Sequence, residues 1–134
     1  MEIKARCIDE TTEKLIVCEE HKRKIVFIND KHSLVKKIEI DGCQITDGLR
    51  CDYLVMYDKI QNFIELKGKD LNHAFKQLIR SLELLGKGDF TKNCYVITSR
   101  SPLSSAQIQN QRIIFKRKYK TYLDVKNNVL HVKI

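Results

Sequence analysis

Asp52, Glu65 and Lys67 are the residues whose types and spacing could do chemistry, all inside RCDYLVMYDKIQNFIELKGKDLNHAFKQL, residues 50–78. Two carboxylates packed closely in strand-like sequence repel one another, and burying them unpaired is costly. Lys67, a metal ion or both must neutralise them. Oxygen ligands from Asp52 and Glu65, with the Leu66 carbonyl and waters, suit a hard cation such as Mg²⁺ or Mn²⁺. Lys67 beside such an ion could orient or help deprotonate a water, which is the equipment of metal-assisted phosphodiester hydrolysis. The alternative is a cross-strand Asp–Lys ion pair with Glu65 facing solvent.

The elements that must position these residues are two strands, DYLVMY and NFIELK. A loop over 58–61 pairs Tyr57 with Asn62 and sets Asp52 across from Lys67. Glu65 then lies diagonal to Asp52 on the same face. A two-residue loop keeps this parity, and a three-residue loop breaks it. Ahead of them, EKLIVCEEHKRKIVFIND reads as a β-hairpin with EEHKRK at its turn, and HSLVKKIEIDG as a third strand ending on Asp41-Gly42. After Gly68 the apolar period lengthens: Leu71, Ala74, Phe75, Leu78, Leu82 and Leu85 mark an amphipathic helix, capped by Asp70 or Asn72 and stopped at 86–88. CYVIT is a buried strand, and SPLSSAQIQNQRIIFKRKY a second helix starting near Ser104 or Ser105. TYLDV and VLHVKI, joined by Asn127-Asn128, form a terminal hairpin. The expected class is α/β (α+β), a mixed sheet with few helices.

The phrase CDYLV…FIELKG…QL and the strand order resemble the PD-(D/E)xK nuclease superfamily, the fold of type II restriction enzymes and Holliday-junction resolvases. The likeness spans residues 34–98. It implies a restriction-endonuclease-like core, here preceded by the β-hairpin read above, with Asp52 and Glu65 as metal ligands and Lys67 as the catalytic lysine. A glutamine on the following helix often supports the site in that family, and Gln77 has that place. Cys51 stands where the family name has proline. The family core also begins with a helix bearing another acid. Here IDETTEKL is the candidate short helix, with Glu10 and Glu13, and Asp41 is the alternative source of a third carboxylate.

The chain of 134 residues is expected to be one domain, with a nuclease-like core over about 34–98 and a basic helix and hairpin over about 103–134. Its net charge of +8 points to a polyanionic partner. Residues 112–126 hold six basic side chains and one acid among Phe115, Tyr119 and Tyr122. Positive charge beside aromatics suits nucleic acid, with DNA ahead of RNA and Arg112, Lys116, Arg117 and Lys120 on phosphates. Lys22–Lys37 is a second basic run. His73 lies on the polar side of the first helix, where a nucleic-acid contact and a solvated face are both open. His21, His32 and His131 carry no assigned role. Five cysteines without a C-x-x-C spacing argue for reduced thiols and against a disulfide framework, although Cys43 and Cys51 could approach across a hairpin. With no apolar run long enough to span a bilayer and no secretory h-region, the expected location is cytoplasmic. Edge strands in LIVCEEH and VLHVKI could pair two copies into a homodimer. The rival functions are a catalytically inactive nuclease-like fold, acting as a binding or inhibitory module, and a plain nucleic-acid-binding domain.

Overall fold

The computed structural model describes residues 1–67, 70–99 and 103–134. Gly68, read above as the stop after the fifth strand, and Pro102 lie outside the described residues. A short 3₁₀ turn at Ala5–Cys7 leads into β1 (Ile8–Thr11), then β2 (Leu15–Glu20), β3 (Arg23–Ile28) and β4 (Val35–Glu39). β5 (Tyr53–Tyr57) and β6 (Ile60–Lys67) precede α1 (Leu71–Leu85), β7 (Thr91–Thr98) and α2 (Ser105–Tyr119). β8 (Thr121–Asn127) and β9 (Val129–Lys133) follow. The class is therefore α+β, with strands dominant.

One six-stranded sheet runs β1-β4-β5-β6-β7-β8. Its first four strands are mutually antiparallel, whereas β6, β7 and β8 are parallel, joined through α1 and α2. Both helices pack on one face, where Phe63, Leu54 and Cys94 of the sheet meet Phe75, Leu78 and Phe115. A three-stranded sheet, β2-β3-β9, covers the other face. There Cys18, Ile25 and Phe27 pack on Val55, Ile64, Leu66 and Ile97. β6 is buried on both faces, so its polar Gln61, Asn62 and Glu65 lie in the interior beside Phe63, Ile64 and Leu66.

Local chemistry accounts for the helix ends. Asp70 accepts the His73 amide at 3.0 Å, and the chain leaves α1 at Gly86. Ser104 and Gln107 form a reciprocal capping box for α2.

Four expectations fail. The segment IDETTEKL is no helix, because Ile8–Thr11 pairs as a strand with Val35–Ile38; β-branched Thr11 suits that edge pairing. The terminal hairpin does not form, since β8 pairs with β7 and β9 pairs in parallel with β3. Asn128, in the left-handed region at φ 63°, carries the chain from one sheet to the other. The 58–61 loop shrinks to Asp58-Lys59, both at positive φ, so Ile60 and Gln61 join β6. Finally, the thiols are not all reduced: Cys7 and Cys43 form a disulfide, while Cys18, Cys51 and Cys94 are free and buried. Cys43 thus finds Cys7 rather than Cys51, because the 3₁₀ turn brings the N-terminal segment against the loop after β4.

Candidate functional site

Asp52 stands one residue before β5, and its backbone N–H donates to the Ile64 carbonyl at 3.0 Å. With Tyr53 opposite Ile64, Asp52 faces Glu65 rather than Lys67. The shorter turn moves the pairing by two residues and so preserves the parity that puts both acids on one face. Glu65 shares its parity along β6 with Phe63 and therefore faces the helix side.

The Asp52 carboxylate replaces the next rung of the ladder, its Oδ2 accepting the Leu66 amide at 2.7 Å. Burial lifts the Asp52 carboxyl to about 6, although that amide favours the charged form. Glu65 is only 2% exposed. Burial first, and the negative charge of Asp52 second, push its carboxyl to about 9, with Lys67 pulling the other way. Both carboxyls are therefore harder to ionise than free ones, Glu65 the more so because it is the more deeply buried. Among the described residues, Glu65 Oε1 and Gln77 Oε1 are buried with no hydrogen-bond partner. Gln77 reaches the site from α1, its Nε2 donating to the Arg50 carbonyl at 3.0 Å. That bond fixes the backbone two residues before Asp52.

Asp41 is beside the pair, its backbone amide bonding the Asp52 carbonyl at 3.3 Å, and its charge acts on both carboxyls. Its own carboxylate, however, is held by Arg50 Nε at 2.8 Å. Among the described residues, no group of three or more His, Cys, Asp or Glu side chains is gathered as a metal cluster. The donor set is two facing carboxylates, of which Glu65 has an unmatched oxygen and Asp52 already accepts one amide. This set fits Mg²⁺, which commonly takes one or two protein carboxylates and keeps several waters.

Two residues missed in the sequence also come to this end of the sheet. Glu20, at the end of β2, adds negative charge near Asp52. Arg23, at the start of β3, donates through Nη1 to Ser99 Oγ at 2.9 Å. Ser99 directly follows Thr98, which pairs with Lys67. Both residues belong to EEHKRK, where composition marks only a turn; their destination depends on the packing of one sheet over another.

The basic residues of α2 are not brought to the acids. Arg112 pairs with Asp124 at 3.0 Å. Lys116, Arg117 and Lys120 line a cleft with Thr91 and Lys92, at the opposite end of the parallel strands. Glu65 is level with Val96 and Val125, whereas Lys92 is level with Thr121. Four residues of strand separate the two levels, roughly 13 Å. Within one chain α2 starts near the acid end and runs away from it, so these cations do not flank the acid pair. His73 is half-buried at the start of α1. No helix of the described residues is long and apolar enough to cross a membrane. No protein-family model matches the chain, and no curated protein and no solved structure matches it.

Proposed function

We propose that the chain is a Mg²⁺- or Mn²⁺-dependent nuclease of the PD-(D/E)xK kind, hydrolysing phosphodiester bonds of DNA or RNA, with DNA as the first choice. One observation carries the reading: half-buried Asp52 faces buried Glu65, and Glu65 keeps an unmatched oxygen. A protein gains nothing in stability from two coupled carboxyls in its interior, whereas a cation binder needs them there. The antiparallel β4-β5-β6 meander followed by α1 and parallel β7 is consistent with the restriction-endonuclease-like core.

Asp52, Glu65 and the Leu66 carbonyl would hold the ion, which would supply Lewis acidity toward the phosphate and a more acidic water. Lys67, at the mouth of β6, orients the attacking water. Gln77 braces the Arg50–Asp52 backbone. Asp41 joins the ligand set only if Arg50 releases it. A cytoplasmic location belongs to this reading and rests on the three buried thiols; the Cys7–Cys43 disulfide weighs against it. Two copies would pair through the outer strands β2 or β9, where Leu15, Val17 and Val129 are exposed. A sedimentation mass near 15.7 kDa at all micromolar concentrations removes the dimer.

The second reading is an inactive nuclease-like fold that binds nucleic acid or a protein. The Asp41–Arg50 ion pair favours it, because it occupies the nearest third acid. Titration calorimetry with Mn²⁺ on wild type, Asp52→Ala and Glu65→Gln, beside cleavage of single-stranded, duplex and branched substrates, separates the two. Binding by wild type alone, with cleavage lost in Glu65→Gln, is expected. Equal Mn²⁺ binding in all three proteins overturns the site, and binding without cleavage leaves the inactive fold.

A further inference from the structure

From the cleft at the far end of the parallel strands, we infer that this chain has a second binding surface, separate from the acid pair, which holds a single-stranded nucleic-acid segment. The cleft has a volume of about 930 Å³, between the C-terminal half of α2 and the starts of β7 and β8. Lys92, Lys116, Arg117 and Lys120 line it. From Arg112 to Lys120 the chain has five basic residues and no acid. The nearby acid on β8, Asp124, is already paired with Arg112. The cleft is therefore cationic and complementary to a phosphate backbone.

Charge alone would serve any polyanion. The lining also contains Tyr122, 54% exposed, and Ile113, 40% exposed. Tyr122 meets Tyr95 edge-to-face at 6.3 Å, so one ring holds the other in place. A duplex keeps its bases stacked inside and offers phosphates to such a surface, leaving the exposed ring without a partner. A single strand offers both phosphates and base faces, and an aromatic platform beside cations is how such strands are held. The choice of nucleic acid over other polyanions rests on the nuclease reading. The cleft itself needs neither carboxylate.

The test is fluorescence anisotropy with a labelled twelve-nucleotide oligothymidine and a blunt duplex of equal length, in EDTA so that no divalent ion contributes. Wild type should bind the single strand more tightly than the duplex. Tyr122→Ala should weaken single-strand binding by about tenfold, and Tyr122→Phe should restore it. Lys116→Glu with Arg117→Glu should weaken it further and lower the slope of log affinity against log salt by about two. All these side chains are exposed, so the fold should survive the changes. Glu65→Gln should bind as wild type, which separates this surface from the nuclease site. The inference is overturned if the duplex binds as tightly, if wild type does not bind, or if Tyr122→Ala and the double charge reversal bind unchanged.

Discussion

Asp52 and Glu65 face one another across β5 and β6, and burial makes both carboxyls harder to ionise, Glu65 further so beside the negative charge of Asp52. A carboxyl that is harder to ionise in the fold than in the unfolded chain makes the fold bind more protons. Stability then falls as pH rises. The loss should begin in the unfolded carboxylate range, about pH 4, and level off above about 9. Glu65→Gln, which stays neutral, should be as stable as wild type near pH 4.5. At pH 8 without metal it should be more stable by roughly 1 kcal/mol or more. Urea midpoints across this range are the measurement. A wild-type profile that rises with pH would contradict the buried pair.

The Cys7–Cys43 disulfide closes a loop of 36 residues around β1 to β4. In the chain-entropy account such a loop adds about 4 kcal/mol by restricting the unfolded state. Cys7→Ser with Cys43→Ser, or reduction of wild type, should lower stability in that direction by a comparable amount. Equal urea midpoints with and without reductant would show that the bond contributes nothing.

Gly48 lies at φ 78°, and a Cβ there would come within 2.7 Å of the Arg80 guanidinium. That guanidinium donates to the Asp47 and Leu49 carbonyls and so pins the loop before Arg50 to α1. Gly48→Ala should cost about 1–2 kcal/mol from backbone conformation and crowding together. In Arg80→Ala the crowding is gone, so the same alanine should cost less. A double-mutant cycle by denaturation checks the coupling, and strict additivity would exclude it.

How far the sequence could be read follows from which forces are local. The α1 period, the Asp70 cap and the alternation in β5 depend on neighbours along the chain, and each is legible. The two acids share a face for the same reason, since parity survives an error of two in the register. The opposition of Asp52 to Glu65 was not legible, because it hangs on whether Ile60 and Gln61 turn or pair. Gln61 pairs and still satisfies its side chain, accepting the Lys87 amide and donating to the Leu85 carbonyl. Nor could composition foresee that β9 would leave β8 for β3, or that Cys7 would meet Cys43. Those are long-range contacts with no local trace. Glu20 and Arg23 were overlooked for the same reason.

Phe115 is the one fully buried side chain of α2 and meets Phe75 of α1 edge-to-face at 6.1 Å. Phe115→Ala should cost about 3–5 kcal/mol. Because the rest of α2 is largely polar, the helix should loosen before the sheet does. Amide exchange would then quicken over Ile108–Tyr119 more than over β6. A uniform increase across the chain would show that α2 is not a separable unit.

The small sheet joins β2 and β3 to β9, with Lys24 opposite Val129. More than a hundred residues separate those partners, so the parallel pairing must close a very long loop before its contacts reward it. The hairpin of β2 and β3 is local and can form first, whereas the outer edge of β3 stays unfilled until β9 pairs with it. Assembly of this layer should be the slow step of folding, and a chain lacking residues 129–133 would leave the edge of β3 open to pair with whatever else is in solution.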